Sequence, residues 1–118
     1  MSAEELIRRL ENCLTYSIKE SSIVLENVCD FPIDIRAIEI EYYIYISRAQ
    51  AAQSTEHVEL GRFRKRVFER VSIEQVLQPS TSLNIYFGII KNIENVYVVV
   101  NIDDKQYRVK VLEKKENK

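Results

Sequence analysis

The longest apolar alternation of the chain lies at residues 33–46, which read Ile33-Asp34-Ile35-Arg36-Ala37-Ile38-Glu39-Ile40-Glu41-Tyr42-Tyr43-Ile44-Tyr45-Ile46. Branched and aromatic side chains at every second position are typical of a β-strand with one buried face. The apolar positions are odd at Ile33 and Ile35 but even from Ile38 onward. Since a slip of one residue turns a side chain to the other face of a strand, we predict a β-bulge or a strand break at Arg36-Ala37.

The composition extends this β-rich pattern to the whole chain. Its 118 residues include 15 Ile, 12 Val and 7 Tyr, and this length suits a single domain with one core. Shorter alternations on both sides of residues 33–46 predict six or seven strands in all. We therefore expect a mainly β fold, a single antiparallel β-sandwich with one N-terminal α-helix. The apolar residues expected to be buried between its sheets are Ile23, Leu25, Ile38, Ile40, Ile44, Phe87, Val98, Val100, Val109 and Val111.

Residues 2–14 are predicted to form the helix. Ser2 is a suitable N-cap with Glu5 as its capping-box partner. A stripe of apolar residues at helical spacing comprises Leu6, Ile7, Leu10 and Leu14. A helix of this length needs an apolar surface to lie on, either the sandwich of its own chain or a second copy. The predicted division is a helix at 1–15, the sandwich at 16–112 and a disordered tail at 113–118.

Residues 57–78 fit two periodicities. As a strand, this segment turns Phe63, Val67 and Val71 to one face, and as a helix it places the same residues on one stripe. Gly61 and the β-branched residues favour the strand. We predict a strand to about Ile73, with a helical turn allowed at 74–77. Residues 48–56 are predicted to form a loop, and residues 103–105 a hairpin turn.

Two segments resemble parts of immunoglobulin- or fibronectin-like sandwiches. Residues 23–46 resemble the front half of such a domain: a strand, a turn with Asn27 ahead of Phe31-Pro32, and a strand of alternating Ile. Residues 76–85 resemble the Pro-containing step into a later strand. Within this group, residues 27–46 are most similar to the desiccation-related LEA-14 (WHy) domains. The resemblance covers about half of the chain and implies a fold without a shared catalytic set.

Residues with catalytic or metal-binding chemistry are scarce. His57 is the only histidine, and its surroundings lack the spacing of a known nucleophile motif, so we expect an exposed loop histidine. Cys13 and Cys29 are the only cysteines, too few for a zinc site within one chain. The acidic pair Glu39 and Glu41 fits the solvent face of a strand. We therefore predict no enzyme activity, no metal site and no cofactor.

The sequence also suggests a cellular setting. No apolar run approaches the roughly 20 residues that span a bilayer, and the start is acidic, unlike a secretory signal. We expect a cytoplasmic protein without membrane contact, in which Cys13 and Cys29 stay reduced. The scarcity of glycine and the many Ile and Glu residues also fit a thermophilic source.

One basic segment stands out from the pattern of charge. Residues 1–61 carry 11 acidic and 5 basic side chains, and residues 62–118 carry 7 and 12, giving formal charges of −6 and +5. As a strand, the basic segment projects one stripe: Arg62, Arg64, Arg66, Phe68 and Arg70. Such a stripe suits nucleic-acid binding through phosphate contacts and base stacking. It equally suits a charged edge strand whose arginines deter pairing with other strands or meet acidic side chains across the sheet.

The leading functional hypothesis is a non-catalytic protein-interaction or structural module. Tyr43 and Tyr45 share one face of the long strand, and tyrosine is enriched in interfaces. Leu6 and Leu10 of the helix are the other candidate contacts. The expected partner is another protein or a second copy of the chain, with self-association through the helix or the tyrosine-rich strand. Nucleic-acid binding through the basic stripe is the alternative.

Overall fold

The computed structural model describes residues 2–48, 61–88 and 92–114. Over these residues the chain forms one helix followed by seven strands. They are α1 (Ala3–Cys13), β1 (Leu14–Lys19), β2 (Ser22–Asn27), β3 (Ile33–Arg48), β4 (Gly61–Leu77), β5 (Thr81–Tyr86), β6 (Ile93–Ile102) and β7 (Lys105–Glu113). The mainly β class and the single N-terminal helix are therefore confirmed.

The strands form one curled sheet in the order β4-β3-β6-β7-β1-β2-β5. Neighbouring strands are antiparallel except β1 and β7, which run parallel where Thr15 lies opposite Leu112 and Tyr16 opposite Glu113. The prediction of a purely antiparallel arrangement is wrong at this pair. The reason is that β1, which follows α1 directly, runs in the same direction as β7. Their pairing joins β4, β3, β6 and β7 to β1, β2 and β5 in one mixed sheet.

The core lies inside the curl of the sheet. Eight of the ten residues predicted to be buried are at most 2% exposed, among them Ile40 and Val98. Phe87 is half-buried, and Ile44 is 40% exposed, so the prediction for Ile44 is wrong. Ile44 lies beyond Tyr42, the last residue of β3 that pairs with β6, where the described part of the sheet has narrowed to β3 and β4.

The predicted irregularity of β3 is confirmed. The register of β3 against both β4 and β6 shifts between Ile35 and Ala37. Ile35, Ala37 and Ile38 are all fully buried. The extra residue thus allows the odd positions before it and the even positions after it to face the same core.

The helix packs against its own chain. The backbone N–H of Glu5 donates to Ser2 Oγ at 3.2 Å, as predicted for an N-cap. Leu10 is 2% exposed within the core and Ile7 packs against the same cluster. The helix ends at Cys13, so Leu14, predicted on the helical stripe, is instead a buried residue of β1. In the described parts of the chain, no helix has the length and hydrophobicity that a bilayer crossing requires.

The ambiguous segment is a strand over residues 61–77, while residues 57–60 lie outside the described part of the chain. β4 continues to Leu77, so the helical turn allowed at 74–77 is wrong. Leu77, Val76 and Gln75 pair with the first residues of β3, and this pairing overrides local helical preference. β7 likewise includes Glu113, which the sequence analysis placed in the tail. The loop predicted at 48–56 falls, beyond Arg48, outside the described residues, as do His57 and residues 115–118.

Asn27 and a disulfide hold the connection between β2 and β3. Asn27 is fully buried, its Nδ2 donates to the carbonyls of Phe31 (3.1 Å) and Leu77 (2.9 Å), and its Oδ1 accepts from the N–H of Cys29 (2.8 Å). Cys29 is disulfide-bonded to Cys13, with their Cα atoms 4.9 Å apart. The prediction of reduced thiols is therefore wrong. The end of α1 and the start of this connection meet in space, which sequence spacing does not reveal.

We predict that Ile40→Ala lowers the free energy of unfolding by roughly 2–5 kcal/mol, because it leaves a cavity in a close-packed core. Ile44→Ala is the matched control, because Ile44 is the same residue type four positions further along β3 and is 40% exposed. This substitution should lower the free energy of unfolding by less than about 1 kcal/mol. Urea denaturation of both variants measures the difference. Equal losses would contradict the assignment of Ile44 to a region outside the core.

We also predict that the denatured, non-reduced protein has no titratable thiol. The disulfide closes a loop with a sequence separation of 16, and in the chain-entropy model its reduction should lower stability by about 3 kcal/mol. Thiol titration with and without reductant, followed by denaturation of the reduced, alkylated protein, tests both points. Two free thiols before reduction would contradict the bond.

Candidate protein-interaction surface

The ends of β3 and β4 form a two-stranded arm that extends beyond the sheet. β6 begins at Ile93, opposite Tyr42, so the described strand that pairs with residues 43–48 of β3 is β4, through its residues 61–66. We call these two ranges the arm. At the base of the arm the N–H of Tyr43 also donates to the carbonyl of Asn92 at 3.2 Å. Six residues of extended chain span about 20 Å. The Cα radius of gyration, 18.6 Å, exceeds the roughly 13–14 Å expected for a compact domain of this length, in agreement with a projecting element.

The arm concentrates positive charge. Its 12 residues include five bases and no Asp or Glu, a formal charge of +5 in a chain of net charge −1. The five are Arg48, Arg62, Arg64, Lys65 and Arg66. The basic stripe predicted from the sequence therefore falls mostly on an element that the core does not cover.

Tyr43 lies on the outer face of the arm, at its base beside the sheet. The guanidinium of Arg64 lies over its ring, 4.0 Å from the centroid, and Arg66 Nη2 donates to its hydroxyl at 2.8 Å. This hydrogen bond is the largest cause of a raised pKa at Arg66, and Glu94, at 3.7 Å, adds to it. The two strands of this part of the arm are thus linked on its outer face by contacts between charged and aromatic groups.

Apolar side chains remain exposed on both faces of the arm. Tyr45 is 55% exposed on the face of Tyr43, and Phe63 (46%) lies with Ile44 on the opposite face. An isolated two-stranded ribbon is marginally stable in water, and exposed apolar groups on such an element are typical of a binding surface. The sequence pattern does not identify Phe63 and Ile44 as surface residues because their alternation matches that of core positions.

Beyond the arm, the same stripe of arginines meets acidic side chains. Glu39, 7% exposed, lies between Arg70 Nη1 at 3.2 Å and Arg108 Nε at 2.6 Å. Glu39 Oε1 is not aligned with an N–H of Arg108, so their contact is an ion pair and not a well-directed hydrogen bond. Arg108 also stacks over Tyr97 at 3.7 Å and approaches Phe68 at 5.9 Å. This arrangement matches the edge-strand interpretation for Arg70, whose charge is compensated across the sheet.

The opposite face has a second polar link at the base of the arm. The hydroxyl of Tyr42 donates to Glu69 Oε1 at 2.8 Å. This hydrogen bond to a carboxylate, with smaller contributions from burial and from the charge of Glu69, raises the pKa of Tyr42 above its usual value. The link ties β3 to β4 where β6 stops pairing, and so fixes where the arm leaves the sheet.

The structure separates the predicted contact residues into two groups. Tyr43, Tyr45, Arg64 and Arg66 come together on the arm, with Arg62 opposite Ser47 in the backbone register, whereas Phe68 and Arg70 belong to the charge cluster around Glu39. Leu10 is used inside the core, which corrects its assignment as a partner contact. Leu6 is half-buried beside it. Within residues 2–48, 61–88 and 92–114, no three His, Cys, Asp or Glu side chains are grouped to hold a metal ion.

We predict that Glu39→Gln lowers the free energy of unfolding by about 1–2 kcal/mol. The loss reflects two charge-assisted contacts, reduced because both arginines are half-exposed and can be hydrated. Glu41→Gln is the control: Glu41 lies 3.8 Å from Arg108 and its side chain is more exposed, so a loss of about 0.5 kcal/mol or less is expected. Chemical denaturation distinguishes them, and indistinguishable losses would contradict the central place of Glu39.

No family model, no curated protein and no solved structure matches this chain.

Proposed function

We propose that this protein is a non-catalytic protein-interaction module whose contact surface is the arm. The observation that carries the proposal is the exposure of Ile44, Tyr45 and Phe63 on a ribbon that, among the described strands, consists of β3 and β4. Binding a partner would bury this apolar surface and supply the packing that a two-stranded ribbon lacks. Tyrosine and arginine, which dominate the arm, are also the residues that contribute most to interface energies.

The sheet provides the rigid base for this module, and we propose that it is an immunoglobulin- or fibronectin-like sandwich. Two groups of strands support this: β1, β2 and β5 are neighbours in one half of the sheet, and β4, β3, β6 and β7 in the other. Residues from both halves share one core, for example Leu25 and Val98. On this proposal the arm is an extension of the two strands at one edge.

The disulfide bears on the proposed compartment. Disulfides are typical of oxidising compartments, and among cytoplasmic proteins they are common in hyperthermophiles. We therefore propose a cytoplasmic location together with a thermophilic source, which the scarcity of glycine also favours. A mesophilic source would place the protein in an oxidising compartment instead.

Nucleic acid is the second candidate partner, favoured by the formal +5 of the arm and its aromatic side chains. Two observations favour protein over nucleic acid. The ring of Tyr43 is covered by Arg64, and Arg66 and Arg70 already have acidic neighbours, Glu94 and Glu39. Four phosphate contacts would give a slope of about −3 to −4 in log affinity against log salt.

Site-specific photo-cross-linking tests the proposed function. A photoreactive phenylalanine analogue replaces Phe63 on the arm or, as the control, Tyr86, which is 77% exposed on β5 at the other edge of the sheet. In an extract of the source cells, we expect a discrete nuclease-resistant adduct at position 63 and none at position 86. An adduct of twice the chain mass would identify a second copy as the partner.

Two outcomes would contradict the proposal. The same diffuse labelling at both positions would show that the arm has no preferred partner. A position-63 adduct that nuclease removes would favour the nucleic-acid alternative.

A further inference from the structure

The geometry points to the open edge of β4 as a docking site for an extended acidic segment of a partner protein, which would add a strand to the sheet. This inference rests on the proposed function and names the chemistry of its partner. β4 is the first strand in the order of the sheet, so β3 is its hydrogen-bonded neighbour and its other edge has none among the described residues.

The backbone groups that face this edge can be identified. The N–H of Tyr43 donates to the carbonyl of Asn92 at 3.2 Å, on the side of β3 away from β4. In an antiparallel pair, residues alternate between pairs that exchange hydrogen bonds and pairs that do not. Arg66, the partner of Tyr43, therefore directs its N–H and C=O away from β3, and the unbroken register gives Arg64 and Phe68 the same direction.

The side chains along this edge specify the partner. An added strand would place alternate residues beside the outer face of the arm, with Arg64 and Arg66. Its other residues would lie beside the opposite face, with Phe63, Lys65 and Val67. The complementary pattern is an acidic residue at every second position with apolar residues between them. β3 already shows this chemistry on the paired edge of β4, because Ile38-Glu39-Ile40-Glu41 lies against it and Glu39 contacts Arg70 at 3.2 Å.

The charge also decides against two other occupants. A second copy pairing through residues 61–66 would bring the +5 arm beside another +5 arm, and like charges on neighbouring strands are unfavourable. Nucleic acid would meet the arginines but would leave the outward N–H and C=O groups of β4 without a strand partner. An acidic strand satisfies both the charges and the backbone.

Hydrogen exchange on the full-length protein, labelled with nitrogen-15, tests this inference directly. The probe is a synthetic peptide of about seven residues in which glutamate alternates with valine, a typical strand length. In the free protein the amides of Arg64, Arg66 and Phe68 should exchange fast and those of Lys65 and Val67 slowly. With peptide at ten times its Kd, the first three should exchange about tenfold more slowly. A peptide in which lysine replaces glutamate should leave them unchanged.

Two variants at one position separate the backbone from the charge. Arg64→Pro and Arg64→Ala both remove the guanidinium, but only proline removes an outward N–H. We expect Arg64→Pro to weaken peptide binding by a further two- to tenfold relative to Arg64→Ala. In case proline disturbs the arm, Arg64→Glu provides a second test: it should lose affinity for the glutamate peptide and gain affinity for the lysine peptide.

The inference would be overturned if the proline and alanine variants bound the peptide with equal affinity and Arg64→Glu still preferred the glutamate peptide to the lysine peptide. Absence of amide protection at about 1 mM peptide, where even weak complexes form, would also overturn it. If Phe63 still cross-links to a protein in that case, the proposed function stands and only the strand-addition mode fails. An oligonucleotide that binds the arm while these amides continue to exchange fast would overturn it in favour of nucleic acid.

Discussion

A mismatch in strand length determines how this molecule is built. β3 has 16 residues and β4 has 17, but β6 pairs with β3 only as far as Tyr42. Backbone N–H and C=O groups need hydrogen-bond partners. Over residues 44–48 of β3, the described strand that supplies these partners is β4. The same alternation that buries Ile40 inside the sheet therefore exposes Ile44 on the arm. The core and the candidate contact surface are two parts of one hydrogen-bonded ladder, and the end of β6 separates them.

The uneven charge along the sequence corresponds to two regions of the structure, the neighbourhood of the core and the arm. Near the core, acidic residues of the first half meet basic residues of the second: Glu39 contacts Arg70 and Arg108, and Glu26 contacts Lys114 at 3.1 Å. These pairs neutralise charge within the fold. The arm has no acidic residue of its own, and Arg66 at its base meets Glu94 of β6 at 3.7 Å, so most of its formal charge is not balanced within its two strands. What reads as one basic stripe in the sequence therefore divides into a part beside Glu39, where charge is compensated, and a part on the arm with fewer acidic neighbours among the described residues.

Local rules predicted the features that depend on neighbouring residues. The change of parity predicted the bulge after Ile35, and Ser2 was identified as the helix cap; the hairpin turn at Asp103 and Asp104 forms with positive φ angles at both residues. Features that depend on distant segments were not predictable. The exposure of Ile44 follows from where β6 begins, the Cys13–Cys29 bond requires the end of α1 to meet the β2–β3 connection, and Arg108 reaches Glu39 only through the order of the strands. Periodicity specifies which residues share a face, but not whether anything covers that face.

The two edges of the sheet avoid uncontrolled pairing by different physical means. β5 is six residues long and carries neutral polar side chains such as Ser82 and Asn84, so it offers little template for another strand. β4 is nearly three times as long, and its protection is charge. Charge excludes selectively: it repels a strand with the same charge, including a second copy of β4, but attracts a strand of opposite charge. An edge that carries arginine and lysine is therefore expected to repel strands of like charge and to attract acidic ones, so the same side chains would both oppose aggregation and give partner binding its specificity.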